Sequence, residues 1–286
     1  MAILKRMSVM NSGYQAPNIL IDGKEFNSLV PENCLGIRFL YGRAGHDFDL
    51  DFTDTGKVLG KYEDGILTIK VSGVLYANED CSGMFRDLPK LEFIDFSNFD
   101  VSGSHDFSYM FSGCVNLQKV DTADFRTQYI TNTICMFDGC KSVEFINVAE
   151  WDMSNVLSME GMFCGCENLK YLNLEDWNTE HVTSMRFMFK DCHNLKDLSV
   201  SDLDVGNVTD MHDMFCNCFS LEELEVFPWD IRKLQNTSSM FKGCTSLNIL
   251  DIATWDAANI QQHYDMFVGC KQLDLLNPIF RRFSNS

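Results

Sequence analysis

The chain has 286 residues, 45% of them apolar, enough to bury a large core in two ordinary domains or one elongated array. Its 23 basic and 41 acidic residues leave a net charge of −18, which excludes non-specific attraction to nucleic acid or anionic membrane, since both collect Lys and Arg. Twelve cysteines suggest a disulfide framework by number alone, but their spacing gives a different reading.

Residues 1–80 open the chain. Met1-Ala-Ile-Leu-Lys-Arg-Met-Ser has a basic pair but no apolar run of signal-peptide length behind it. No stretch of the chain is apolar enough to span a bilayer. The expected location is therefore a reducing cytoplasm, with export by a signal-less route as the alternative. Ile19-Leu-Ile-Asp-Gly-Lys-Glu-Phe26 reads as a strand followed by a Gly turn, and Leu35–Tyr41 and Ile66–Tyr76 also read as strands. Together they predict a small β-rich capping region over 1–80. Asp47, Asp49, Asp51 and Asp54 resemble the start of a calcium loop, but Phe52 stands where the required Gly would be. Their alternation with Phe48, Leu50 and Phe52 fits a half-buried strand with an acidic outer face instead.

From residue 81 the chain repeats. Met-Phe recurs at Met84, Met110, Met136, Met162, Met188, Met214, Met240 and Met266, always 26 residues apart. With Met as position zero, position four is Cys114, Cys140, Cys166, Cys192, Cys218, Cys244 and Cys270, with Leu88 in the first copy. Positions seven and ten are aliphatic, and position fifteen is aromatic or Leu, with Trp151, Trp177, Trp229 and Trp255 among them. The Leu-x-x-Leu-x-Leu part predicts a short parallel strand with positions ten and twelve inward and nine and eleven outward. The Met-Phe part predicts a short helical turn on the opposite side. One copy is too small to bury its own apolar face, so stability must come from stacking neighbours.

The run M-F-x-G-C-x-x-L-x-x-L followed by W-D-x-x-N-V-T resembles the BspA-like leucine-rich repeats of bacterial and mycoplasma surface proteins, over about residues 81–278. The resemblance implies a curved solenoid used for protein binding, often as an adhesin. It departs from those proteins in showing no secretion signal, lipidation motif or wall anchor. The expected fold is thus an α/β solenoid: a leucine-rich-repeat-like right-handed superhelix of eight 26-residue coils, one parallel strand per coil, over 81–278. The β-rich region 1–80 caps one end, and 279–286 is a C-terminal tail.

Chemistry has little support. Cys164-Gly-Cys166 and Cys216-Asn-Cys218 are C-x-C pairs, but the second Cys of each belongs to the position-four column, and the pairs lie two copies apart. Buried thiols used as small apolar residues account for them. His46, His105, His181, His193, His212 and His263 share no repeat position, and no H-E-x-x-H, G-x-S-x-G or phosphate-binding Gly loop occurs. The reading is a non-enzyme with no metal or cofactor.

Outward positions beside the strand carry the functional expectation, because packing does not dictate them. Position nine supplies Phe93, Phe145 and Tyr171; position eleven supplies Asp95, Asp121, Asn147, Asn173 and Glu225; position fourteen supplies Asp124, Glu150, Asp176 and Asp202. They predict an acidic and amide ribbon beside an aromatic cluster. Residues 81–286 hold 15 basic and 30 acidic residues, net −15, so the repeats carry the field. The expected function is binding another protein, a basic one, on the strand-lined face, with no direct nucleic acid and no membrane insertion. Two alternatives stand beside it: an acidic effector or inhibitor that blocks a nucleic-acid-binding enzyme by polyanion mimicry, and a surface adhesin.

Overall fold

The computed structural model describes residues 18–42, 48–50, 58–274, 278–281 and 283. Its backbone is organised by one register: residues 26 apart pair in parallel. Asp80, Asp106, Asn132, Ser158, Ser184, Asp210, Asn236 and Gln262 form one such column of bridges. A second runs through Phe93–Asp95, Lys119–Val120, Ile146, Tyr171–Leu172 and Asp197–Leu198, breaks, and resumes with Glu223–Leu224 and Ile249–Leu250. Between the columns, the Phe85 amide donates to the Met110 carbonyl at 2.8 Å, and the same bond recurs at Phe111, Phe137, Phe163, Phe189, Phe215 and Phe241.

The expected α/β solenoid with a helical turn at Met-Phe is corrected by these bonds. The fold is mostly short strands and turns in several separate small sheets. Among the described residues, α-helix occurs only at Gly23–Leu29 and Pro278–Arg281, with one 3-10 turn at Ala257–Asn259. A helix needs an unbroken right-handed backbone and amides that bond four residues back. Here the residue before each Met is left-handed in all eight copies, from Gly83 at φ 62° to Asp265 at φ 59°. The residue before position four is left-handed too, from Asp87 at φ 55° to Gly269 at φ 89°. The Phe amide between them bonds the next copy instead of its own chain. The strands are shorter than one per coil implies: most are two residues, and at Phe145 and Ile146 only isolated bridges remain.

The core consists of columns of like side chains. The Phe rings after each Met stack from Phe85 to Phe267 with centroids 5.0–5.7 Å apart and planes within 14°. At each end the next ring is edge-on: Phe26 against Phe85 at 81°, and Phe280 against Phe267 at 81°. The position-four thiols are buried, and each donates to the carbonyl of the Phe 29 residues earlier, as Cys192 does to Phe163 at 3.1 Å. Each Trp is buried and its Nε1–H donates back 29 residues as well, Trp177 to the Val148 carbonyl at 2.9 Å. A small apolar thiol fits a site that wants little volume and one weak donor, which is why cysteine repeats there.

Turns explain much of the acidity. At three recurring positions a short polar side chain accepts the amide two residues on in many copies: Asp106 from Ser108, Asp95 from Ser97, and Asp152 from Ser154. Asp100, Asp204, Asp230 and Asp256 repeat the third of these.

In the N-terminal region, strand Gly36–Tyr41 pairs in parallel with Ile66–Val71 on one side and Phe93–Asp95 on the other. The sheet therefore runs from residues 36–71 straight into the first repeat. The strand expected over Ile19–Phe26 is cut to Asn18–Ile19, because Asp22 caps a helix at Gly23–Leu29 by accepting the Glu25 amide at 3.0 Å. Asp47, Asp51, Asp54 and His46 lie outside the described residues.

Candidate binding face

Position nine lies on the exposed side of the strand column, because position ten beside it turns into the core. Phe93 is half-buried: its ring lies against Gly36, where any side chain would collide with it, and the Arg38 guanidinium sits 5.4 Å above its centroid. Phe145 and Tyr171 are 50% and 44% exposed and stack at 6.2 Å with planes 7° apart. Tyr129, Phe227 and Tyr264 are as exposed elsewhere, but Phe145 and Tyr171 stand side by side on the strand face.

The expected ribbon divides into two shallow depressions. The first brings Phe93, Asp95, Asp121 and Asp124 together with Arg38 and Lys119. Its charges nearly balance. The second, about 700 Å³, runs from Tyr171 and Asn173 to Asp251, and Glu225 lines it. There Glu175, Asp197, Glu222, Glu223, Glu225 and Asp251 surround a single lysine, Lys196. Lys196 is already paired with Glu222 at 3.0 Å, and that bond holds its ammonium above the usual lysine pKa. Ile249, 57% exposed, lies on the same floor.

Not every expected residue joins a depression. Glu150, Asp176 and Asp202 are exposed outside both, and Asn147 is half-buried between them. Several position-eleven side chains also have structural work: Asp121 accepts the Ala123 amide at 3.3 Å, Asn173 the Glu175 amide at 2.8 Å, and Asp251 the Ala253 amide at 2.9 Å. Each carboxylate keeps a second oxygen for a ligand.

Sequence reasoning missed part of the face. Arg38 belongs to the N-terminal strand, and its place follows only from the Arg38↔Asp95 pairing. Asp197, Glu223, Ile249 and Asp251 were not missed in this sense: they stand at positions nine and eleven, in the outward columns the sequence already marks. Glu175, Lys196 and Glu222 come from positions thirteen and eight, whose outward direction the strand register sets.

Elsewhere, partly exposed Cys135 and Cys164 flank Gly161. Burial, more than the nearby Asp138, pushes their thiols up to about 11 and about 12. Thiolates are the nucleophilic form of cysteine, so both are poor nucleophiles at neutral pH. No group of three or more His, Cys, Asp or Glu among the described residues has the geometry to hold a metal ion. No helix among them is long and apolar enough to cross a membrane.

Residues 76–172 and 158–277 match the profile of a family described as "Mycoplasma protein of unknown function, DUF285". None of the curated proteins compared with the chain matches it.

Proposed function

The chain belongs to the DUF285 family, whose description assigns no activity, so we propose from its own surface that it is a non-catalytic binding protein that holds a basic protein partner on its strand face. The observation that carries this reading is the second depression, where six carboxylates surround one already paired lysine and Tyr171 and Ile249 leave apolar surface in reach. Carboxylates without local counter-charge attract a cationic partner and orient its approach. Exposed aromatic and aliphatic side chains then supply contact area on docking. The resemblance to BspA-like repeats supports a binding role as well.

Fluorescence anisotropy with labelled twelve-residue peptides of net charge +6, 0 and −6 tests it. The +6 peptide is expected to bind, and to weaken steeply as salt rises. Glu223→Lys/Glu225→Lys is expected to abolish binding, while Glu32→Lys/Glu180→Lys, equal in charge but off the face, retains most of it. Equal loss in both variants, or binding that ignores peptide charge, refutes the proposal.

A further inference from the structure

We propose that the stacked pair Phe145–Tyr171 is a seat for the guanidinium of an arginine, carried by an extended basic segment of the partner that runs along the repeat axis. The proposal rests on the reading of the strand face as a binding surface and names what that surface selects.

The molecule contains its own precedent. Position nine runs Phe93, Lys119, Phe145, Tyr171, Asp197, Glu223 and Ile249 down the strand column. In the first repeat its aromatic is covered by Arg38, delivered by the neighbouring strand Gly36–Tyr41. Two and three repeats later the same position presents aromatic rings again. Among the described residues, cations cover the rings of Phe93, Tyr109 and Phe187, and none covers Phe145 or Tyr171. Lys170 pairs with Glu144 at 2.8 Å and Lys196 with Glu222 at 3.0 Å, while Lys119, the position-nine neighbour of Phe145, covers neither ring. A planar cation is the natural occupant: it stacks on an aromatic face where an ammonium makes only a point contact.

The column below the pair sets the rest of the segment. Neighbouring strands lie about 4.8 Å apart, so Asp197, Glu223 and Ile249 fall about 7, 12 and 17 Å from the centre of the aromatic pair. Alternate residues of an extended peptide point the same way at intervals of about 6.7 Å. An arginine on the pair therefore places the second and fourth following residues near Asp197 and Glu223, and the sixth about 3 Å past Ile249, still within reach of an apolar side chain. The matching pattern is an arginine, two basic residues and an apolar one, each separated by one residue.

The test uses the full chain and a fluorescein-labelled Arg-Ser-Lys-Ser-Lys-Ser-Leu peptide, with variants in which the arginine becomes lysine, citrulline or leucine. Anisotropy titrations are expected to show affinity about twofold weaker for lysine, which keeps part of an exposed cation–π contact but not the planar stacking. Citrulline, planar but uncharged, is expected to be weaker still. On Phe145→Ala/Tyr171→Ala, and on Phe145→Leu/Tyr171→Leu, which keeps apolar bulk, the preference for arginine over lysine is expected to vanish. Equal binding of arginine, lysine and citrulline peptides to the unaltered chain overturns the seat, as does tighter binding of the leucine peptide. If charge reversal at Glu223 and Glu225 abolishes binding while arginine identity is irrelevant, the acidic face stands and the seat falls. If no peptide binds at low salt, both fall.

Discussion

Raising the pH from 7 to 10 is expected to destabilise the chain by drawing protons from thiols that the fold keeps neutral. Cys114, Cys140, Cys166, Cys192, Cys218, Cys244 and Cys270 are all buried. Burial pushes each well above the ordinary value of 9.0, Cys114 and Cys270 to about 12. For a group that is neutral when protonated, a raised folded pKa means that the native state keeps a proton which the unfolded chain releases above pH 9. The stabilisation is complete below pH 9 and is lost as pH climbs toward the folded pKa near 12. With those two values Cys114 and Cys270 each forfeit about 1.4 kcal/mol by pH 10, and the five thiols between them lose stability in the same direction. Those two thiols alone remove about 3 kcal/mol from a stability that in many proteins is roughly 5–15 kcal/mol. Urea melts followed by circular dichroism from pH 7 to 10.5, under reductant, measure the slope. Stability is expected to be level to about pH 8.5 and then to fall with a linkage of several protons, because Cys81, Cys135, Cys164 and Cys216 are also held above 9.0. Cys140→Ala/Cys192→Ala is expected to lower that linkage by about two, separating the thiols from tyrosine and lysine. A slope of one or two protons in the unaltered chain, or one the double variant leaves unchanged, refutes the reasoning.

Four further substitutions probe the stacked columns and their turns. Phe163 lies between Phe137 and Phe189, 5.7 Å from each, so Phe163→Ala is expected to cost about 3–5 kcal/mol in urea melts; a loss below about 1 kcal/mol contradicts the column as a core. Trp177→Phe removes the donor to the Val148 carbonyl and is expected to cost about 1–3 kcal/mol, with unchanged stability counting against that bond. The left-handed positions predict opposite signs. Gly165→Ala at φ 67°, where the new methyl would meet the Gly139 amide at 3.3 Å, should destabilise by about 1–2 kcal/mol. Ser239→Gly at φ 54° should raise the melting temperature by relieving the same strain, and a fall would show the residue is held there for another reason.

The period, the core columns and the outward strand positions were legible because burial dictates side-chain type, and one type repeated every 26 residues shows itself. The helical turn at Met-Phe was misread for a physical reason. Its left-handed residue before each Met is Gly83, Tyr109, Cys135, Gly161, Phe187, Asp213, Ser239 and Asp265. A backbone angle shared by such different side chains leaves almost no mark, since neighbouring repeats enforce it through hydrogen bonds. The helix at Gly23–Leu29 did leave one: Asp22 and Glu25 stand three apart, as a helix start favours, inside a segment whose apolar residues suggested a strand. At the candidate face the aromatic and acidic column was readable and its division was not. Whether Asp95 joins Arg38 or stands alone depends on a pairing between residues nearly sixty positions apart.

A pile of interchangeable plates has no natural height. Each repeat offers its neighbour the same ring, the same thiol and the same row of amides, so one more plate always fits, whether it comes from this chain or another; that is the logic by which fibres grow. The edge-on rings of Phe26 and Phe280 interrupt that logic. A ring standing upright on the last plate presents no flat surface for another to settle on, and it turns an open-ended pattern into an object of definite length.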